Sequence, residues 1–509
     1  MLPVQEKENV AKEIRTAVRH GAVYGLGGVL AKAVGFLMLP FYTHYLNPAD
    51  YGTLEILDLS MSLFGMFLNM GITAALLRCH SAAATAEEKR KVVSSAFIFV
   101  AVTGVATFFL LVGLVRPVSA LLLGPRVPSQ YLLLSFTAFI IGYITNLPRT
   151  YLRALEASGS FVLVETVSLF LMLTLNIVFI AVLKIGLAGI LWSSLLVAIL
   201  QLVLLCGWLL RRVGIGFSQR LLGAMMRFGL PLIFSNLAMF TLNFSDRFFL
   251  QRFRSLEVVG VYAVGYKFGY MLNYLLVQPF YVMWQSRMYA IHAQPDHPKV
   301  FSQMFVFYSL LLTYAALALA MLSPEMVQFM LAANFSESRN VIPVVALAYV
   351  FCGIGYYVQL GMFLTNRTNL IGVVSAAAAG LNLLLNYFLV AHYGMPGAAW
   401  ATVVSFFAIA AGSYWCSQRV YALPLKVGRT ASALVLAFAL YMVSRVWNPG
   451  SLALTLALKT CLLAVFPVLV WKARILSPAE VGTLISTMDH AGAGTARLFR
   501  VFSRKAASL

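Results

Sequence analysis

Charged and amide side chains recur at helical spacing inside otherwise apolar stretches of this sequence. Glu55, Asp58, Ser62, Gly65 and Asn69 follow at intervals of three, four, three and four, which puts all five on one helical face. Lys267, Tyr270, Tyr274 and Gln278 repeat that spacing farther along, and Tyr24, Gly28, Lys32 and Gly35 do so near the start. Asn236, Asn243, Asp246 and Arg247 sit in a further apolar run. A charge at the centre of a membrane-spanning helix costs roughly 2.5–3.5 kcal/mol on insertion scales, so it faces a cavity or a partner. On that ground Lys32, Lys267 and Arg247 are candidates for lining a central hydrated cavity. Asn69, Asn243, Tyr270, Tyr274 and Gln278 are its candidate polar lining. Glu55, Asp58 and Asp246 are candidate charge partners for those cations. The bland alternative is local. Asp246, Arg247, Glu55 and Asp58 lie near the outer ends of their segments and would then anchor at the interface, while Lys32 and Lys267 would pair with carboxylates on neighbouring helices.

The surrounding composition decides which elements must position these residues. Of 509 residues, 61% are hydrophobic and 11% charged, against roughly a quarter charged in an ordinary soluble domain. With a mean hydropathy of +0.86, the chain lacks the polar residues to clothe soluble domains. A soluble enzyme, a disulfide scaffold and a disordered chain are excluded, which leaves an all-α polytopic membrane protein. Spanning helices need about 20 mostly apolar residues. Fourteen such segments are expected at 20–45, 52–77, 92–115, 130–153, 161–183, 187–210, 227–250, 258–284, 300–322, 341–364, 370–391, 396–418, 430–447 and 452–471, with twelve as the alternative count.

The net charge of +20 reads as topology rather than as a nucleic-acid surface. With the N-terminus inside, 26 of the 37 Lys and Arg residues fall in cytoplasmic segments. Both termini are therefore expected in the cytoplasm. The first 19 residues are expected to be a polar cytoplasmic segment rather than a signal peptide, because no apolar h-region or cleavage site is evident.

The two halves match at an offset of about 208 residues. Ala49-Asp50-Tyr51-Gly52 lies opposite Glu257-Val258-Val259-Gly260, Leu175-Asn176 opposite Leu385-Asn386, and the G-x-x-G-x-x-W run from Gly186 opposite the one from Gly394. Six spans per repeat give both halves the same orientation. The expected organisation is a cytoplasmic segment (1–19), an N-lobe of spans 1–6 (20–210), a linker (211–226), a C-lobe of spans 7–12 (227–420), spans 13 and 14 (421–472), and a tail (473–509). The basic, amphipathic tail either lies on the inner membrane surface or is partly disordered. Glu165, Ser168 and Asn176 on span five, and Ser375, Asn382 and Asn386 on span eleven, are expected to hold helices together.

Motifs for catalysis are absent: H-E-x-x-H, G-x-x-x-x-G-K-[ST] and G-x-S-x-G do not occur, and no loop is long enough to fold a nucleotide site. The five cysteines have neither metal-site nor disulfide spacing. A transporter with no cofactor beyond a coupling H+ or Na+ is expected, with no metal and no nucleic-acid partner.

Residues 30–59, LAKAVGFLMLPFYTHYLNPADYGTLEILDL, and 227–269, RFGLPLIFSNLAMFTLNFSDRFFLQRFRSLEVVGVYAVGYKFG, carry a resemblance. With their Asn47–Gly52 turn and Asp246-Arg247 pair, they resemble Wzx-type polysaccharide flippases of the multidrug/oligosaccharidyl-lipid/polysaccharide exporter superfamily, over almost the whole length. The resemblance implies a V-shaped pair of six-helix lobes working by alternating access in the bacterial inner membrane. It implies an undecaprenyl-pyrophosphate-linked oligosaccharide as cargo, for O-antigen, capsule or exopolysaccharide assembly, with Lys32, Lys267 and Arg247 as anion contacts and Glu55, Asp58 and Asp246 coupling an ion or holding those cations in place. Membrane lipids and the polymerase and glycosyltransferases of the pathway would be its partners. The alternatives are a cation-coupled drug or metabolite exporter of the related multidrug branch, and a membrane glycan polymerase or transferase.

Overall fold

The computed structural model describes residues 34–447 and 450–476. Among these the chain is helical throughout its ordered elements, with no strand. The elements that matter below are α1 (34–45), α2 (Pro48–Asn69), α3 (Ile72–Ala82), α4 (Ala86–Leu123), α5 (Ser129–Ala154), α6 (Ser158–Ile177), α7 (Leu187–Gln201) and α8 (Gly207–Val213). They continue with α9 (Gln219–Phe244), α10 (Asp246–Phe253), α11 (Leu256–Leu272), α12 (Gln278–His292), α13 (His297–Met330), α14 (Ile342–Val358) and α15 (Leu360–Leu364). The last four are α16 (Asn369–Tyr393), α17 (Met395–Val420), α18 (Val427–Val446) and α19 (Leu452–Lys472).

Eleven helices among the described residues are long and apolar enough to cross a membrane, so the protein is a multi-pass membrane protein. The expected seventh and eighth spans are also helical, as α9–α10 and α11–α12, but these polar helices are outside that group of eleven. Of the expected first span, residues 34–45 are described and helical. The expected tail lies outside the described residues. Several helices overrun the apolar limits read from the sequence. At 38 residues, α4 extends about 57 Å, well beyond a hydrocarbon core of about 30 Å. Its charged start, Glu87 to Lys91, is excluded by an apolar ruler yet continues the same helix.

Local chemistry sets the helix starts. Asn47 caps α2, its Oδ1 accepting from the Asp50 amide at 2.7 Å, and Pro48 occupies the first turn, where its missing N–H is harmless. Thr85 caps α4 through the Glu88 amide at 3.1 Å, and Glu88 reaches back to the Ala84 amide at 3.1 Å. The matched glycine runs play matched parts. Gly186 and Gly394 have φ of +59° and +64°, a conformation glycine adopts without strain, immediately before α7 and α17.

The described chain forms two compact units. The first contains residues 34–268, 325–341 and 372–405, and the second 269–324, 342–371 and 406–476. In the first, α3, α4, α5, α8 and α9 close on Leu76, Val93, Ala96, Leu147, Leu209 and Met225. In the second, α13, α18 and α19 close on Leu317, Met321, Ala433, Leu440, Phe466 and Val470. The polar faces of the fifth and eleventh spans bond between helices, as expected of interhelical glue. Asn176 donates to the Tyr42 hydroxyl at 2.8 Å, and Gln201 donates to Ser168 at 2.6 Å. Asn382 accepts from Ser245 at 3.0 Å and donates to Ser405 at 3.1 Å.

Candidate functional site

Helices α2, α10 and α11 bring four charges together in the first unit. Arg247 is at the centre, its side chain 1% exposed. Its Nη1 donates to Asp246 Oδ1 at 2.7 Å and to the Asn243 carbonyl at 2.6 Å. The guanidinium carbon lies 3.8 Å from the Tyr266 ring centroid, a cation–π distance. The second oxygen of Asp246 accepts from the Tyr262 hydroxyl at 2.5 Å. Glu55, one side chain away on α2, is 3.8 Å from Arg247 Nε through Oε1. Through Oε2 it accepts from Lys267 Nζ at 3.0 Å. Lys267 also donates to the Tyr51 hydroxyl at 2.7 Å.

Isolated buried ions carry an effective penalty of several kcal/mol each, which only good pairing offsets. Here two carboxylates and two cations cancel formally, Tyr51 and Tyr262 add hydrogen bonds and Tyr266 a ring face, and Arg247 Nε is left with the Glu55 ion pair alone and no hydrogen bond among the described residues. The cluster is nevertheless asymmetric. Glu55 is 9% exposed while its partner Lys267 is 44% exposed. An ammonium has three donors. Tyr51 and Glu55 occupy two of them, and the third has no partner among the described residues.

The sequence-derived residues distribute as follows. Glu55, Asp246, Arg247 and Lys267 meet in the cluster. Asn243 contributes its main-chain carbonyl, while its amide donates to Met239 O at 2.7 Å. Asp58, one turn beyond Glu55, is exposed and makes no ion pair among the described residues. Asn69 stays on the α2 face that carries Glu55 but 14 residues on, about 21 Å along the helix. Tyr270, Tyr274 and Gln278 belong to the second unit. There Tyr270 packs edge-on against Tyr274 and Tyr349, with centroids 4.5 and 5.1 Å apart. Gln278 begins α12, half-buried. Lys32 lies outside the described residues. All five cysteines are free thiols, and no metal-ligating cluster occurs among the described residues.

Three side chains of the cluster were not singled out in the sequence: Tyr51, Tyr262 and Tyr266. The signal was there. Tyr51 precedes Glu55 by four residues, and Tyr262 and Tyr266 are four apart, the second adjoining Lys267. Apolar surroundings made the three look like ordinary core aromatics.

Comparison with known proteins gives the family. A family model described as polysaccharide biosynthesis protein matches residues 17–283, more than half of the chain. No curated protein matches by sequence. Among solved structures, the lipid II flippase MurJ in an inward closed conformation is similar with a TM-score of 0.71 at 11% identity, covering 89% of this chain and 100% of that one. An inward-facing multidrug resistance MATE family transporter of the MOP superfamily gives a TM-score of 0.61 at 14% identity, covering 75% and 93%. An outward-facing transporter of the same description gives 0.54 at 17% identity, covering 80% and 96%. At such identities the likeness is one of fold. The chain thus shares its fold with a lipid flippase and multidrug transporters, and by its sequence it belongs to the polysaccharide biosynthesis protein family.

Proposed function

We propose that this protein is a flippase that moves an undecaprenyl-pyrophosphate-linked oligosaccharide across the bacterial cytoplasmic membrane by alternating access. The product would enter O-antigen, capsule or exopolysaccharide assembly. Sugar hydroxyls and a pyrophosphate cannot cross hydrocarbon unaided, because each unpaired polar group costs several kcal/mol. The observation that carries the reading is the Glu55–Lys267 pair: a buried carboxylate holds an ammonium that stays 44% exposed. Such a cation can receive an anionic headgroup without first leaving a buried site. Arg247, in contrast, is committed to Asp246 and Glu55 and orients the cluster.

Asp58, exposed beside that pair, is the proposed site of coupling to H+ or Na+. The family description ties the chain to polysaccharide biosynthesis, and the fold likeness to a lipid II flippase supports a lipid-linked cargo. Glycosyltransferases and the polymerase of the pathway are the proposed partners, and the basic-residue bias supports a cytoplasmic position for both termini.

A deletion strain tests this. It should accumulate lipid-linked oligosaccharide on the inner leaflet, and the wild-type gene should restore surface glycan. Unchanged surface glycan with raised drug accumulation would overturn the flippase in favour of the cation-coupled exporter.

A further inference from the structure

A cavity of about 390 Å³ opens on the α2 face that carries Glu55, where α2 breaks into α3. Its size falls in the range of small-molecule sites, roughly 300–1,000 Å³. The break has a local cause. Met70 and Gly71 both adopt left-handed backbone, with φ of 43° and 67°. Two such residues in succession end the α2 ladder and redirect the chain. The left-handed region is strained for Met70, and close packing holds it there. A Cβ on Gly71 would sit 2.5 Å from Gly229 Cα on α9, so no side chain fits between the two helices. Discontinuous spanning helices of this kind commonly build transporter binding sites.

Among the described residues the lining carries no formal charge. Asn69, Asn236, Ser62 and Thr73 supply amides and hydroxyls, and Met66 and Ile233 supply apolar surface. Asn69 donates through Nδ2 to Thr73 Oγ1 at 3.3 Å. Its Oδ1 is buried and accepts no hydrogen bond among the described residues, a condition that normally calls for a donor. Asn236 and Ser62 are exposed at the mouth. Amides and hydroxyls beside apolar side chains match a sugar ring, which has hydroxyl edges and C–H faces. They do not match a phosphate, which calls for cations.

We propose that this cavity is a sugar subsite. It takes an uncharged sugar of the lipid-linked glycan, one removed from the pyrophosphate, with Asn69 Oδ1 accepting from a sugar hydroxyl or acetamido N–H. The assignment rests on the flippase reading. Lys267 and the cavity then bind two parts of one headgroup along a single helix face. Eleven residues separate Glu55 from Met66, about 16 Å of helix, a distance that several linked sugars span. Phosphate contact at Lys267 is common to every lipid-linked glycan, so the cavity is the part that distinguishes one glycan from another.

Binding to the purified full-length protein in nanodiscs tests the assignment. The probes are undecaprenyl pyrophosphate and the lipid-linked oligosaccharide extracted from the source strain. N236L and S62V, both at the open mouth, and N69L should each bind the glycan-bearing lipid about tenfold more weakly, the equivalent of one lost hydrogen-bonded contact. Binding of the bare pyrophosphate should be unchanged. K267A should weaken both probes. Thermal stability of each variant, measured alongside, separates lost contact from misfolding, and N236L and S62V carry the test where N69L disturbs the helix break. Variants that bind both probes as the wild type does, or that lose both equally, overturn the sugar subsite and leave the flippase standing. Wild-type protein that binds neither probe overturns both.

Discussion

Gly52 on α2 and Gly260 on α11 face each other backbone to backbone. A Cβ on Gly52 would overlap the Leu256 carbonyl oxygen, and a Cβ on Gly260 would overlap the Pro48 carbonyl oxygen. The contact is reciprocal: 48 and 52 meet 256 and 260, each pair 208 residues apart, the offset at which the sequence repeats. Self-complementary contact of this kind is the mark of a local two-fold relation. The crossing also brings Tyr51 and Glu55 within reach of Lys267.

Filling that crossing should therefore damage both fold and transport. G52A and G260A are expected to destabilise by about 1–3 kcal/mol or more, as overpacking does. Gly113, on α4, has nothing within 4 Å of its Cβ position, so G113A should be neutral or mildly stabilising. Thermal unfolding in detergent, compared across the three, checks this; equal behaviour of G52A and G113A would refute the tight crossing.

Removal of Lys267 should abolish export while the protein still inserts, since its ammonium is the partly open end of the cluster. K267A also strands the buried Glu55, so the single variant should be less stable than the K267A/E55A double variant, in which both charges go. A double-mutant cycle on melting temperature measures the coupling, expected at about 0.5–3 kcal/mol for a direct contact. Normal surface glycan in K267A cells would sink the assignment of this residue to the headgroup.

Arg247 should behave differently, as a structural cation. R247K keeps the charge but cannot reproduce the fork to Asp246 and the Asn243 carbonyl together with the stack on Tyr266. Loss of one partner from a buried pair typically destabilises by about 3–5 kcal/mol, so R247A should reduce the amount of folded protein before it alters substrate affinity. Y262F should cost about 1–3 kcal/mol, because Asp246 Oδ2 then loses its donor. Yield and melting temperature of the purified variants decide this. Wild-type stability with lost substrate binding would instead make Arg247 a direct contact.

Topology is open to a direct check. A single cysteine placed in the turn between α4 and α5 should react with an impermeant thiol reagent from outside intact spheroplasts, and one between α3 and α4 should not. Reversed labelling would overturn the N-in orientation that the distribution of 26 of 37 basic residues implies.

The sequence by itself determined the class of the molecule, because hydrophobicity and helical spacing are properties of consecutive residues. Eleven apolar helices among the described residues fall on expected spans, and the face shared by Glu55, Asp58, Ser62 and Asn69 survives as one face of α2. It also showed a match between the halves, whose paired glycines are alike in backbone conformation at 186 and 394 and in contact at 52 and 260. Pairing and exposure were decided by the tertiary structure alone. Arg247 and Lys267 look alike as intramembrane cations in sequence, yet one is 1% and the other 44% exposed. That difference depends on which side chains other helices bring: Tyr262 and Tyr266 around Arg247, Tyr51 and Glu55 beside Lys267. The break at Met70 was equally hidden, since residues 52–77 read as one apolar segment and only packing against Gly229 holds the left-handed turn. Electrostatics and packing act through space between residues far apart in the chain, so periodicity can nominate the polar residues but cannot say which of them is left open to a substrate.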